Sequence, residues 1–63
     1  MPKTDIRVKL TGETGNAFFI LGKVKAALIK AGHKELAENY VREATSGDYD
    51  NLLKITMDYI EVE

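Results

Sequence analysis

The side chains that could do chemistry are few in this 63-residue chain, and they stand apart from one another. The chain contains no cysteine, which excludes a disulfide framework, a thiolate zinc site, an iron–sulfur cluster and a cysteine nucleophile. His33 is the only histidine and has no acid–base partner nearby in sequence, and the only serine, Ser46, lacks the Gly-x-Ser-x-Gly surroundings of a nucleophile elbow. We therefore predict that the chain is not an enzyme and has no cofactor.

Two short patterns approach ligand-binding motifs without completing them. Gly12–Gly15 lies between a strand and a helix, where backbone amides can hold a phosphate, but the P-loop Gly-Lys-Ser/Thr is missing and Glu13 would repel an anion. Asp48, Asp50 and Asn51 offer oxygen ligands, yet the spacing and glycine of a calcium-binding EF-hand are absent. A capped turn and a helix N-terminus explain these residues, so we predict no metal site.

Alternating apolar and polar residues predict a strand near each end of the chain. Residues 5–10 alternate with Ile6, Val8 and Leu10 on one face, and a second alternation begins at about Tyr59, although a helix continued through Ile60 stays open. Counting chain reversals favours parallel over antiparallel pairing of the two strands. The outward acids of the closing strand then face the outward bases of the first strand: Glu61 and Glu63 opposite Arg7 and Lys9.

Three helical segments lie between the strands. The spacing of apolar residues predicts helices over Ala17–Ala31 and Lys34–Ala44, and a third that begins after the N-cap Asp48. Thr14 or Asn16 caps the first helix, and Gly32 ends it. We therefore predict one α+β domain over residues 1–63, with three helices packed on a small two-stranded sheet formed by the N- and C-terminal strands (β-α-α-α-β).

The first helix is apolar on two sides. One stripe contains Ile20, Val24 and Leu28, and the opposite side carries a second apolar set: Phe18, Phe19, Gly22, Ala26 and Ile29. A helix that is apolar on two sides is buried on two sides. We expect the second set to meet either the other helices or a partner copy, and it is our candidate interaction face.

Size supports the same interpretation. A domain of about 60 residues buries only about 60% of the surface that its unfolded chain exposes, so hydrophobic gain and chain entropy nearly cancel. Without disulfides or a metal site, this chain needs a dense core, self-association or both. The leading functional prediction is a small non-enzymatic protein-interaction module that binds another protein or associates with itself as a homo-oligomer, such as a homodimer.

The uneven distribution of charge along the chain indicates an alternative function. Up to Lys34 the chain has seven cations and two anions, and from Glu35 onwards it has two cations and eight anions. A basic half can bind a nucleic acid, which would make this a small regulatory protein. The candidate contacts are bases of the N-terminal half: Arg7, Lys9, Lys23, Lys25 and Lys30. No stretch has the pattern of a signal peptide or a membrane span, so we expect a cytoplasmic protein with no membrane contact.

Several short strings of residues resemble a family of small, functionally uncharacterised bacterial and phage-type proteins. They are Gly15-Asn16-Ala17-Phe18, Leu21-Gly22-Lys23-Val24, Ala27-Leu28, the run from Glu43 to Asp50, Leu52-Leu53 and the ending Tyr59 to Val62. The resemblance covers nearly the whole chain. It implies a bacterial or phage setting and a stand-alone small protein, and it brings no activity, cofactor or functional residue with it.

Overall fold

The computed structural model describes residues 2–10 and 16–63 of the chain. The elements follow one another as β1 (Arg7–Val8), α1 (Ala17–Lys30), α2 (Lys34–Ala44), α3 (Tyr49–Tyr59) and β2 (Glu61–Val62). The two strands form a single two-stranded sheet, and the three helices pack together with it. The predicted β-α-α-α-β architecture is confirmed.

Two helix N-termini are capped by the side chains that the sequence indicated. The backbone N–H of Phe19 donates to the Asn16 side-chain oxygen at 3.0 Å, and that of Asn51 donates to the Asp48 carboxylate at 3.0 Å. Each cap satisfies a backbone donor that has no partner inside its helix. Asn16 rather than Thr14 is therefore the cap of α1.

The C-terminus of α1 is closed by a Schellman motif. Gly32 takes the left-handed conformation, with φ of 87°, which glycine adopts without a Cβ clash. Its N–H donates to the Ile29 carbonyl at 3.0 Å, and the N–H of His33 donates to the Leu28 carbonyl at 2.8 Å. The helix ends at Lys30, one residue earlier than predicted.

The strands pair in parallel, as the sequence favoured, with Arg7 opposite Glu61 and Val8 opposite Val62. Both strands are two residues long, which corrects the prediction of a strand over residues 5–10. The paired region is short because α3 continues through Tyr59 and leaves Glu61–Val62 as the partner strand. The backbone N–H groups of Lys3 and Thr4 donate to the carbonyls of the last two residues of α3, at 2.7 and 3.2 Å, and so bind a helix end instead of a strand.

The core lies between α1, α2, α3 and the buried side of the sheet. Its buried apolar residues are Val8, Leu10, Ile20, Val24, Leu28, Ala37, Tyr40, Ala44, Leu52, Tyr59 and Ile60. On α3, Met57 is 57% exposed, whereas its neighbour Thr56 is buried. Thr56 tolerates burial because its hydroxyl donates to the Leu52 carbonyl at 2.8 Å.

Candidate functional site

The five residues predicted as an interaction face lie together on the outer face of α1 (Phe18, Phe19, Gly22, Ala26 and Ile29). Phe18 is 87% exposed, Ile29 46% and Phe19 40%, and the two small residues between them are exposed as well. Spacings of three and four residues place all five on one side of the helix. The structure thus brings the predicted residues together on one surface.

The opposite side of α1 explains why this surface is left uncovered. Ile20, Val24 and Leu28 are completely or almost completely buried, and α1 makes its contacts with α2, α3 and β1 through that side. No element within residues 2–10 or 16–63 reaches the outer face. The expectation that other helices of the same chain cover it is therefore wrong, because both remaining helices pack on one side of α1. Coverage by a partner copy stays a prediction.

Gly22 makes the centre of the outer face unusually flat. A Cβ atom built on this residue would have no heavy atom within 4 Å. Glycine within a helix costs about 1 kcal/mol relative to alanine, and no close packing by residues 2–10 or 16–63 compensates for it. The absent side chain leaves room for another backbone to approach.

Lysines border the outer face of α1 on both edges. Lys25 follows Phe18 by two helical turns and lies on that edge, whereas Lys23 and Lys30 lie on the edge of Phe19. The Lys23 ammonium lies 5.6 Å from the centre of the Phe19 ring and donates to the Lys9 carbonyl at 2.5 Å. Because α1 contains no acidic residue, the surface as a whole is apolar with cationic borders.

The remaining predicted nucleic-acid contacts lie on the sheet. The Arg7 guanidinium forms an exposed ion pair with the Glu61 carboxylate at 3.1 Å, the pairing that the opposite charges predicted. Lys9 is exposed next to the sheet, and its carbonyl accepts the Lys23 hydrogen bond. The five candidate contacts thus divide between the borders of α1 and a sheet surface that also carries acid.

The isolated polar residues of the sequence have structural roles. The Ser46 hydroxyl donates to the Glu43 carbonyl at 2.7 Å, and Asp48 caps α3. His33 occupies the N-cap position of α2, exposed and without a side-chain capping bond. No cluster of three metal-ligating side chains is found among the residues that the structure describes. The turn Gly12–Gly15, considered as a phosphate site, lies outside the described residues.

A buried polar network between α2 and α3 was not anticipated from the sequence. The Tyr40 hydroxyl lies 2.8 Å from the Thr56 hydroxyl, and the Tyr59 hydroxyl donates to the Glu43 carboxylate. The two tyrosine rings meet edge to face with their centres 5.5 Å apart. A tyrosine at helical spacing indicates burial only, since the partner of its hydroxyl comes from another helix.

The same network shifts the titration of both tyrosines. Burial raises the pKa of Tyr40, and the hydrogen bond with Thr56 opposes that shift. Burial, the hydrogen bond to Glu43 and the negative charge of Glu43 raise the pKa of Tyr59 to about 12. Both phenols are therefore neutral donors at physiological pH. They are enclosed by the core, where they hold α2 against α3.

Two grooves of the surface are lined mainly by apolar side chains, whereas another, of about 430 Å³, is lined mostly by polar residues that include Asp5, His33 and Glu61. A groove of about 270 Å³ beside Phe18 is formed by residues from all three helices, Leu21, Ala44, Tyr49 and Leu52 among them. A second groove of about 400 Å³ is lined by residues from α1, α3 and the chain on either side of the sheet, including Ile20, Leu53, Met57 and Val62. Neither brings together an acid, a base and a nucleophile, so both are suited to apolar contact.

Comparison with protein-family models, with curated proteins and with solved structures gives no match. The resemblance to small bacterial and phage-type proteins therefore stays a prediction. Within residues 2–10 and 16–63, no helix combines the length and the apolar character needed to cross a membrane. The outer face of α1 is thus evaluated on its own geometry.

Proposed function

We propose that this protein is a non-enzymatic protein-interaction module that associates with a second copy of itself through the outer face of α1. The observation that carries the proposal is the contiguous exposure of Phe18, Phe19 and Ile29 around Gly22 and Ala26 on one helix. Single exposed apolar residues are normal on protein surfaces, but a contiguous patch that includes two phenylalanines marks an interaction site.

The size of the patch supports this interpretation. A large side chain offers about 200 Å² when fully exposed, so the three large residues of the outer face present roughly 350 Å² per chain. That value falls within the range of about 300–600 Å² typical of the largest, often functional, patch on a monomer. Covering it removes from water apolar surface worth roughly 25 cal/mol per Å², before the entropic cost of association.

The assignment as a non-enzymatic protein rests on the structural roles of four polar residues. Ser46 and Asp48 are used in turns and caps, and Tyr40 and Tyr59 are enclosed in the core. A cysteine-free chain without a structural metal fits the reducing cytoplasm, which we propose as its setting.

Sedimentation-velocity centrifugation over a concentration series tests the proposal. We expect the unaltered chain to convert from monomer to dimer within the micromolar range, and Phe18→Ser to shift that transition at least tenfold upward. Met57→Ser is the control, because it removes another exposed large apolar side chain, from α3, and should leave association unchanged. A chain that stays strictly monomeric at high micromolar concentration would overturn the proposal.

A second candidate function is binding of single-stranded nucleic acid by the same surface. The specific observation in its favour is an exposed aromatic ring, Phe18, on a helix edge shared with Lys25, since bases stack on aromatic rings while cations bind the phosphates. Arg7 favours it less, because its guanidinium already pairs with Glu61.

Fluorescence anisotropy with a labelled single-stranded oligonucleotide tests this second function. Binding should weaken steeply between about 50 mM and about 200 mM salt, because phosphate contacts release counterions. Lys25→Ala and Phe18→Ala should each weaken it, whereas Lys54→Ala, an exposed lysine on α3, should not. Absence of binding at the lower salt concentration would exclude nucleic acid as the partner of α1.

A further inference from the structure

We propose that the two copies pair α1 against α1 in an antiparallel arrangement with a two-fold axis at the level of Val24. This inference rests on the proposed function, since it specifies how the second copy occupies the outer face of α1. It follows from the spacing of the exposed residues, the open centre of the face and the distribution of bulk along it.

Four of the five residues of the outer face have the same spacing when the helix is read in either direction, and Phe18 alone has Lys30 as its counterpart. Phe19 precedes Gly22 by three residues, Gly22 precedes Ala26 by four, and Ala26 precedes Ile29 by three. A two-fold axis at Val24 therefore sets Phe19 level with Ile29 of the second copy, and Gly22 level with its Ala26. A C2 interface uses the same patch on both copies, and this surface is complementary to itself under that operation.

The distribution of large side chains along α1 favours antiparallel over parallel pairing of the two helices. Both phenylalanines lie near the N-terminal end of α1, and Ile29 is the large exposed residue near the other end. Parallel helices would place four aromatic rings together at one end and a gap at the other. Antiparallel helices distribute the rings over both ends, and they also align the helix dipoles favourably.

The centre of the face permits the helices to approach closely. Gly22 has open space where a side chain would stand, and Ala26 adds only a methyl group. Helix axes that meet at small residues lie at the short end of the usual range of about 8–10 Å. At that separation the phenylalanines of one copy reach Ile29 of the other.

The buried area predicts a weak and reversible dimer. The three large side chains from both copies supply roughly 700 Å², and the lysine stems, Gly22 and Ala26 add to it. Stable interfaces need at least about 1,000 Å² in total, so this dimer lies near the lower limit. A dissociation constant in the micromolar range agrees with such an area.

The lysines give the pairing an electrostatic signature. Lys23 and Lys25 lie one residue from the level of the two-fold axis, on opposite edges of the face, so each approaches its own symmetry mate. No acidic residue of α1 neutralises them. Added salt screens this repulsion and should tighten the dimer, whereas it would weaken contact with a nucleic acid or an acidic protein.

Cysteine pairing tests the direction of the helices, since the natural chain has no cysteine. In the proposed arrangement, position 18 of one copy and position 29 of the other differ in level by about 1.5 Å, the rise of one residue. Two copies of position 18 lie roughly 18 Å apart along the axis, well beyond the Cα separation of at most about 7 Å that a disulfide spans. Mixing the F18C and I29C chains under oxidation should give the mixed disulfide in large excess over either homodimer.

A steric variant tests the close approach at the centre. Gly22→Leu has space within its own chain and should fold, yet it should raise the dissociation constant at least tenfold because the helices can no longer meet. Lys54→Leu is the matched control, since it adds the same side chain at an exposed position of α3. An association strengthened equally by both substitutions would indicate unspecific adhesion and overturn the inference.

The outcomes separate this inference from the proposed function. If the dimer is sensitive to Phe18→Ser but the F18C chain crosslinks mainly to itself, the proposed function stands. The antiparallel direction of the helices is then refuted. A dimer that weakens as salt is added would likewise refute this pairing. A strict monomer would remove both proposals together.

Discussion

The two sides of α1 use similar residue types for different purposes. Ile20, Val24 and Leu28 on the inner side are sealed in the core, whereas Phe18 and Ile29 on the outer side lie in solvent. The inner side also faces a core whose polar atoms are satisfied: within residues 2–10 and 16–63, no buried side-chain nitrogen or oxygen lacks a hydrogen-bond partner. The contrast teaches that stability of the single chain comes from one side of this helix and leaves the other side available for binding.

The largest expected difference in stability is between substitutions at two neighbouring residues, Leu28 and Ile29. Leu28→Ala should lower the free energy of unfolding by about 2–5 kcal/mol, because Leu28 is completely buried and its removal leaves a cavity. Ile29→Ala should change it by less than about 0.5 kcal/mol at a concentration well below the dissociation constant of the proposed dimer. Urea denaturation of both variants gives the comparison. Equal losses would mean that the outer face of α1 contributes to the monomer core.

The next effect concerns the hydrogen bonds that close the core between α2 and α3. Thr56→Val should cost about 1–3 kcal/mol, since it leaves the buried Tyr40 hydroxyl without the partner now 2.8 Å away. Adding Tyr40→Phe removes the orphaned hydroxyl, so the double variant should lose less than the two single losses combined. Thermal or urea unfolding of the four chains measures the coupling. Strict additivity would show that the hydroxyl pair makes no net contribution.

Alkaline pH should weaken the core in a way that depends on Tyr59. Its pKa is raised from 10.0 to about 12 in the folded chain, so the folded state retains the proton while the unfolded state loses it. The stabilisation is complete below pH 10 and disappears as pH rises toward 12, by at most about 1.4 kcal/mol per pH unit. Urea unfolding between pH 8 and pH 11 should show the difference between the unaltered chain and Tyr59→Phe shrinking. A constant difference would contradict the shift.

The smallest expected effect on stability is at Gly22, on the outer face of α1. Gly22→Ala should raise the free energy of unfolding of the monomer by about 1 kcal/mol, because alanine favours the helix and its methyl group meets nothing within 4 Å. Gly47→Ala is the informative counterpart, since its Cβ would lie 2.9 Å from the Asn51 Cβ and should destabilise the chain. Thermal unfolding at low concentration checks both signs. A destabilising Gly22→Ala would show that the outer face is packed within the monomer.

Local hydrogen bonding made several parts of the fold predictable from sequence. Asn16, Gly32 and Asp48 set the ends of helices through contacts only a few residues away, so their residue types were sufficient. The candidate interaction face was predictable for a related reason, because residues three and four apart share a helix side wherever the helix lies.

Contacts between distant parts of the chain were harder to predict from the sequence. Residues 5–10 alternate along a longer stretch than the two residues that pair, because α3 continues through Tyr59 and leaves Glu61–Val62 as the partner strand. Thr56 could not be recognised as a core residue, since one of the two hydrogen-bond partners of its hydroxyl, the Tyr40 hydroxyl, lies on another helix. Met57 was the apolar residue at that point of the pattern, and it faces solvent.

The amino-acid sequence alone determined that α1 would be apolar around most of its circumference, because periodicity and caps are properties of neighbouring residues. Only the tertiary structure decided which side the chain itself buries. That choice depends on where α2 and α3 pack, and both lie against Ile20, Val24 and Leu28. A short chain has too few elements to surround a central helix, so the second apolar side remained on the surface.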